Sequence, residues 1–170
     1  GVDAFRCDMA ELVPVEFWEW CIREVKHKYP KVQFIAEVYN PAEYSSYMFR
    51  GGFDYLYDKV GLYDTLKYIS QGFKSSSEIT GCWQSINDMQ NHMLNFLENH
   101  DEQRVASDFN LGNAFKGIPS LAVSLMLNKA PFMIYFGQEV GEAGMLEEGF
   151  SGKDGRTSIF DWCCAPSVAR

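Results

Sequence analysis

The sequence predicts an α/β fold in which parallel strands alternate with helices. Short apolar runs typical of strands recur along the chain, and segments with apolar residues at helical spacing separate them. The strand runs are mostly apolar, as expected where helices cover both faces of a parallel sheet. Several runs end in charged or amide residues, and parallel α/β folds bind ligands at the carboxyl ends of their strands.

Five strands are predicted in order along the chain. Each is a short apolar or aromatic run with glycine, proline or polar residues at its ends. The fourth run leads directly into Glu98-Asn99-His100-Asp101, and the fifth contains the sequence PFMIYF. The predicted strands span residues 2–8, 32–36, 53–56, 93–97 and 131–136.

Helices are predicted between these strands. Pro14 opens the first helix, where its missing N–H is harmless, and Pro30 stops it. A second, short helical stretch ends before Gly51. Further helices are predicted over residues 62–69, 83–92 and 118–127. We expect the last of these to be buried, and the tail from residue 137 onward to form a loop.

Composition and charge exclude several functional classes. The chain has 170 residues, enough for one domain with a sizeable core, and a formal net charge of −8. This acidity argues against nucleic acid or an anionic membrane surface as a partner, because both require a basic face. No apolar run approaches the ~20 residues that span a bilayer, so we predict no membrane span.

The five cysteines fit neither a disulfide scaffold nor a zinc site. Their number is odd, no CxxC pair is present, and no histidine stands at metal-ligand spacing. Adjacent Cys163 and Cys164 would bridge each other only with strain. We expect reduced, mostly buried thiols, which favour an intracellular, reducing compartment while leaving the localisation open.

Three carboxylates stand at the predicted carboxyl ends of strands. Asp8 ends the first strand, Glu37 the second, and Asp101 follows the fourth. Residues two apart on a strand share a face, so Arg6 should lie beside Asp8 and hold it ionised. Clustered carboxylates resist joint ionisation, and glycoside hydrolysis needs one ionised and one protonated carboxyl group.

Taken singly, each of these motifs has an ordinary explanation. Arg6 and Asp8 could form a simple ion pair, and Glu37 could be a solvated residue near a helix cap. The Asn99-His100-Asp101 run could be a polar turn that caps the next helix. The combination of all three, in order and at corresponding strand ends, favours a catalytic site.

Three stretches resemble motifs of the α-amylase family, the retaining glycoside hydrolases built on a (β/α)8 barrel. GVDAFRCDMA resembles the motif at the end of the fourth barrel strand, FIAEVYN that of the fifth and FLENHDEQR that of the seventh. PFMIYFGQEVG resembles the eighth strand and its loop, and GRTSIFDW the segment that often follows. The resemblance implies that residues 1–170 are a partial catalytic TIM barrel, strands 4 to 8, without the N-terminal half.

The resemblance also implies a role for each site residue. Asp8 matches the nucleophile, Glu37 the general acid and later base, and Asp101 the third carboxylate that binds sugar hydroxyls. Arg6 matches the arginine that orients the nucleophile. The substrate-binding histidine matches His100, with Asn99 as its motif neighbour. The implied partner is an α-glucan of the starch or maltodextrin type.

One departure from the family motif concerns specificity. Many starch-degrading members carry Lys-His where this chain has Glu11-Leu12, close to a structural calcium. The sequence therefore predicts no cofactor with certainty, and it does not decide whether the full-length enzyme binds calcium. Trehalose, sucrose or isomaltose chemistry would use the same carboxylates.

Other functions stay open beside hydrolysis. A glucanotransferase or isomerase of the same family is one alternative, a catalytically silent amylase-like binding subunit is another, and an unrelated α/β protein is a third. Possible sugar platforms, which could equally be packing residues, are Tyr39, Tyr44, Tyr47, Trp83 and Trp162.

Overall fold

Five strands form one sheet in which every neighbouring pair is parallel. The computed structural model describes residues 1–144. The strands follow one another in the sheet in chain order, and β1 and β5 are its edges, so the sheet of the described residues is open. They are β1 (Ala4–Cys7), β2 (Gln33–Ala36), β3 (Tyr55–Tyr57), β4 (Met93–Phe96) and β5 (Phe132–Met133).

Helices connect consecutive strands, which confirms the predicted alternation. The α-helices are α1 (Val15–Lys28), α2 (Asp64–Ser70), α3 (Glu78–Ser85) and α4 (Ile118–Met126). Short 3₁₀ turns span Ala10–Leu12, Pro41–Glu43, Asn87–His92, Ala114–Gly117 and Gln138–Val140, and π-helical turns span Ser46–Arg50 and Lys59–Tyr63. Parallel strands that pair in chain order and alternate with helices are the arrangement found in a (β/α)8 barrel.

The two faces of the sheet carry different side chains. On one face, Phe34 and Leu56 join a core with Ile22 of α1, and Cys7 packs against this core. On the other face, Tyr57 and its neighbours from β2, β4 and β5 form a second cluster. Arg6 lies over the ring of Tyr57, so it occupies the face opposite Cys7, as the strand periodicity predicts.

The third strand begins two residues later than predicted. Gly52 adopts a left-handed conformation (φ 83°), and the next residue, Phe53, turns into the core beside Trp18. The Asp54 carboxylate then accepts a hydrogen bond from the backbone N–H of Phe34 at 2.8 Å. Strand pairing therefore starts only at residue 55.

The predicted helix over residues 83–92 is wrong in its bounds. The helix begins at Glu78 and ends at Ser85, and a separate 3₁₀ turn runs to His92. Asn87, the first residue of this turn, has a left-handed backbone (φ 46°), which an α-helix cannot contain.

The helix predicted to be buried, α4, is only partly so. Its fully buried residues are Ser120 and Ser124, while Leu125 and Met126 are exposed. The small serines let the helix approach its neighbours, because Asn95 of β4 donates to the carbonyl of Ser124 at 3.0 Å. The hydroxyl groups of Ser120 and Ser70 are 2.7 Å apart.

The fifth strand is shorter than the predicted run of residues 131–136. Only Phe132 and Met133 pair with β4. The chain then turns away, because the Tyr135 N–H donates to the Gln138 side chain at 3.1 Å and Gly137 is left-handed (φ 85°). The predicted loop after residue 137 starts with a short 3₁₀ turn.

Candidate active site

Arg6 joins the carboxyl ends of β1 and β2. Its Nη1 donates to Asp8 Oδ1, and its Nη2 lies 2.8 Å from Glu37 Oε1. The guanidinium carbon lies 5.5 Å from the ring centroid of Tyr57. Burial opposes the charge of Arg6, but Tyr57, Asp8 and Glu37 together raise its pKa above its ordinary value. Two of the three predicted carboxylates therefore share one permanent cation.

Glu37 is buried, with only 2% of its surface exposed, at the end of β2. Its Oε2 accepts a hydrogen bond from the Met9 N–H at 2.8 Å, and its Oε1 accepts one from the Tyr39 hydroxyl at 2.7 Å. These two donors, together with the ion pair to Arg6, fix the orientation of this carboxyl group. A buried carboxylate needs such partners, because an unpaired one is costly.

Asp8 lies in the turn after β1, and 71% of its side chain is exposed. The following residue, Met9, has a left-handed backbone (φ 44°), which is uncommon for a residue other than glycine. This turn lets the Met9 N–H reach Glu37. Asp8 is thus accessible from solvent while Arg6 holds it, as a nucleophile that must meet a substrate requires.

The end of β4 carries the third predicted group. Asn99 is buried, and its Oδ1 accepts hydrogen bonds from the N–H groups of Asp101 (2.8 Å) and Glu102 (2.9 Å). His100 Nε2 lies 3.2 Å from Asp101 Oδ2, and 41% of the Asp101 side chain is exposed. The asparagine amide therefore shapes the loop that presents Asp101.

Two tyrosines, Tyr39 and Tyr57, lie near both Glu37 and Asp101. Burial raises the pKa of the Tyr39 hydroxyl, and the negative charges of Glu37 and Asp101 raise it further. The pKa of Tyr57 is raised by burial and by the same two carboxylates, against the opposing effect of Arg6. Glu37 and Asp101 therefore both raise the pKa of both tyrosines, although β3 lies between the two strands that carry these carboxylates.

The loop that carries Asp101 is anchored from α2 and the turn before it. Glu102 accepts a hydrogen bond from the Tyr63 hydroxyl at 2.8 Å and pairs with Lys59 (3.1 Å) and Lys67 (3.3 Å). Lys59 also pairs with Asp64 at 2.8 Å. Burial opposes the charge of Glu102, but Lys59, Tyr63 and Lys67 lower its pKa overall.

Apart from Arg6 beside Asp8, sequence reasoning did not identify the partners of the carboxylates. Tyr39 stands two residues after Glu37, and residues two apart in an extended chain lie on the same side. The sequence therefore gave a weak indication that the two side chains are in contact. Glu102 follows Asp101, but nothing local indicates its two lysine partners. Glu11, first noted as a departure from the family motif, binds the backbone N–H groups of Tyr39 (3.2 Å) and Asn40 (2.9 Å).

The remaining aromatic candidates divide between core and surface. Tyr44 and Tyr47 are buried in the core that faces α1, as packing residues. Trp83 lies on α3 and is partly exposed. Trp162, Cys163, Cys164 and the GRTSIFDW stretch lie outside the described residues. Cys7, Cys21 and Cys82 are free thiols, and burial raises the pKa of Cys7 and of Cys82 to about 11.

Residues 1–144 show no group of three or more His, Cys, Asp or Glu side chains that could hold a metal ion. In the same part of the chain, no helix is both long and apolar enough to cross a membrane.

Comparison with known proteins finds similarity in sequence and in fold. A family model described as the catalytic domain of α-amylase matches residues 13–161, which include Glu37 and Asp101 but not Asp8. An alpha-1,4-glucan:maltose-1-phosphate maltosyltransferase from Rhodospirillum rubrum is 49% identical over 39 residues, or 23% of this chain and 6% of that protein. The chain's matches span only 6–9% of the curated relatives.

Solved structures share the fold over almost the whole chain. An α-amylase from Lactobacillus plantarum superposes with a TM-score of 0.68 at 24% identity, covering 99% of this chain and 43% of that one. The ligand-free cyclic α-maltosyl-(1→6)-maltose hydrolase from Arthrobacter globiformis superposes with a TM-score of 0.75 at 22% identity, covering 99% of this chain and 38% of that one. The chain thus corresponds to less than half the length of either structure.

Proposed function

The chain belongs to the α-amylase family, and we propose that it supplies the working carboxylates of a retaining glycosidase for starch- or maltodextrin-type α-glucans. The observation that carries the proposal is the position of Arg6 against both Asp8 and Glu37, at the ends of neighbouring parallel strands. Retaining glycosidases require two carboxyl groups close together on either side of the bond that breaks.

In the proposed first step, Asp8 attacks the anomeric carbon of the sugar and the glycosidic bond breaks. Arg6 donates a hydrogen bond to the Asp8 carboxylate and so orients the nucleophile. Glu37 transfers a proton to the departing sugar oxygen, so the leaving group departs neutral. The product of this step is a covalent glycosyl ester of Asp8.

In the proposed second step, Glu37 removes a proton from water, which attacks the same carbon and releases Asp8. Because the carbon is inverted twice, the configuration is retained. Asp101 would bind sugar hydroxyls beside the reaction centre, together with His100. The placement of Asp101 by the Asn99 amide, and its electrostatic effect on Tyr39 and Tyr57, support this role.

The test compares two aspartate variants of the full-length gene product. Asp8→Asn removes the nucleophile, whereas Asp3→Asn changes an exposed aspartate just before β1, at the other end of the same strand. We expect Asp8→Asn to lose at least 10³-fold in turnover of a chromogenic maltooligosaccharide while still binding glucan, on the order of other catalytic-group deletions. Asp3→Asn should keep wild-type turnover. Undiminished turnover in Asp8→Asn would refute the proposal.

Glucanosyl transfer is the second candidate function. The observation in its favour is the match to curated maltosyltransferases over 39–57 residues. Transfer uses the same glycosyl-enzyme, with a sugar hydroxyl or phosphate in place of water as the acceptor. Product analysis after incubation with maltooligosaccharide, with and without inorganic phosphate, distinguishes the two: hydrolysis yields shorter sugars only, whereas transfer yields longer sugars or sugar phosphates.

We propose further that strands beyond the five described complete the barrel in the full-length protein. The two edge strands, β1 and β5, leave the sheet open, and exposed apolar side chains such as Val2 and Ile134 stand beside them. A closed barrel has no edge strands. The solved relatives, of which this chain covers 43% or less, agree with this proposal.

A further inference from the structure

Glu11 connects the loops that follow β1 and β2. It lies in the 3₁₀ turn Ala10–Leu12, and its Oε2 accepts hydrogen bonds from the backbone N–H groups of Tyr39 (3.2 Å) and Asn40 (2.9 Å). One carboxylate oxygen therefore caps two successive amides across 28 and 29 residues of sequence.

The turn that carries Glu11 is firmly held. Ala10 is fully buried, its N–H donates to the Glu37 carbonyl at 3.0 Å, and its own carbonyl accepts from Trp18 Nε1 at 3.0 Å. The Tyr47 hydroxyl lies 3.1 Å from the Glu11 carbonyl oxygen and 2.9 Å from that of Val13. The Glu11 side chain therefore extends from a backbone whose position is set on both sides.

Tyr39 is consequently held at both ends. Glu11 binds its backbone N–H, and its hydroxyl donates to Glu37 Oε1 at 2.7 Å. The tyrosine is half-buried, so both hydrogen bonds are partly shielded from water. A continuous series of contacts thus runs from Glu11 through Tyr39 to the carboxyl group of Glu37.

We infer that Glu11 and Tyr39 are positioning residues that orient Glu37 and adjust its protonation during the reaction. This inference deepens the proposed function and rests on it. Glu11 sets the position of the Tyr39 backbone, and the Tyr39 hydroxyl then stabilises the ionised form of the Glu37 carboxyl group by donating to it. Neither residue needs to touch the bond that breaks.

Other charged and titratable groups near Glu37 and Tyr39 also influence the Glu37 carboxyl group. Arg6 approaches from β1 and Tyr57 from β3, and both stay in place when the Tyr39 hydroxyl is removed. Asp101 and Glu102 add negative charge near Tyr39 from the loop after β4. Because these groups are common to every variant of Tyr39, a difference between variants reports the hydroxyl itself.

The pH dependence of turnover tests the inference in the full-length gene product. Tyr39→Phe removes one donor to Glu37, which favours the protonated carboxyl group needed in the first step. The alkaline limb of the kcat/KM profile should therefore move up by about half a pH unit to one, from the net worth of one hydrogen bond. Tyr44→Phe is the matched control, because the buried Tyr44 hydroxyl has no hydrogen-bond partner among residues 1–144, and its profile should not move.

Variants of Glu11 separate positioning from a general structural role. Glu11→Ala removes the cap of the two amides and should move the alkaline limb in the same direction as Tyr39→Phe. Glu11→Gln keeps an acceptor oxygen for the amides and should restore the wild-type limb. A merely structural role would instead lower kcat/KM by the same factor at every pH, in both Glu11 variants.

A second measurement does not depend on turnover. The titration of Glu37, followed by carboxyl ¹³C NMR with Glu37→Gln to assign its signal, should have a higher midpoint in Tyr39→Phe than in the wild type. An unchanged midpoint would overturn the inference, whatever the activity. Absence of α-glucan turnover in the wild type, with a shifted midpoint, would instead overturn the proposed function and leave the contact from Tyr39 to Glu37 established.

Discussion

Glu98 and Arg104 form a buried ion pair directly behind the loop that presents Asp101. Arg104 Nη1 lies 2.7 Å from Glu98 Oε2, and neither side chain is more than 2% exposed. Glu98 Oε1 also accepts from the Val105 N–H at 2.8 Å, and Arg104 Nη2 donates to the Phe136 carbonyl at 2.6 Å. The pair therefore joins both ends of this loop to the segment after β5.

Replacing Arg104 by Met should destabilise the protein by about 3–5 kcal/mol, because it leaves Glu98 buried without its cation. Chemical denaturation of the full-length gene product measures this loss. The matched control is Arg23→Met, which breaks an exposed pair with Glu24 at 3.6 Å and should cost less than about 1 kcal/mol. Equal losses in the two variants would contradict the role assigned to the buried pair.

Asp58 makes stability depend on pH. It is buried, its carboxylate accepts the Leu62 N–H at 2.7 Å, and burial raises its pKa from 3.8 to about 6. Between these two values the folded protein binds a proton that the unfolded chain has released. Stability from this group is therefore full below about pH 4 and is lost as the pH rises through about 6, by roughly 3 kcal/mol in all.

Asp58→Asn keeps an acceptor for the Leu62 N–H and cannot ionise. At pH 7 this variant should be more stable than the wild type, and at pH 4 the two should be similar. Denaturation midpoints at both pH values give the difference, with the exposed Asp88→Asn as the control that should show no such change. A variant that is less stable than the wild type at pH 7 would count against this account.

Glu102 should contribute to stability through its lysine partners. Glu102→Gln removes the charge that faces Lys59 and Lys67, and we expect a loss of about 1–3 kcal/mol, as for a partly buried charged hydrogen bond. Because contacts lower the pKa of Glu102, the wild type should lose the same contribution when acid protonates it. Denaturant titrations at pH 7 and pH 3 measure both effects.

Glu78→Gln is the matched control for this network. Glu78 pairs with Lys74 at 3.2 Å on the surface of α3, and both side chains are exposed. This substitution should change the free energy of unfolding by less than about 0.5 kcal/mol. If both variants lose the same amount, the network around Glu102 has no special contribution.

The 170-residue chain on its own should not turn over a chromogenic maltooligosaccharide. In the part of the chain that the structure describes, the sheet ends in the unpaired edges of β1 and β5, and unpaired apolar edges favour association. Size-exclusion chromatography should show aggregates, whereas the full-length gene product should be active under the same conditions. Robust activity of the monomeric 170-residue chain would show that further strands are not needed.

Local sequence determined the alternation of strands and helices and the positions of Asp8, Glu37 and Asp101 at strand ends. Apolar runs, and the breaks that proline and glycine make in them, are local properties of the sequence. They can therefore be recognised without the structure. The three motifs also sufficed to recognise the α-amylase family, which the family model confirms. Errors occurred where single backbone conformations decided the outcome, as at Asn87 and Gly137.

Only the tertiary structure decided how the carboxylates are held. The contacts from Glu11 to Tyr39 and from Lys67 to Glu102 join residues 28 and 35 positions apart. Such contacts depend on the register between strands and on the path of each loop, and neither is a local property of the sequence. Chain order therefore indicates which groups meet at the edge of the sheet, whereas the folded backbone selects the donors that orient them.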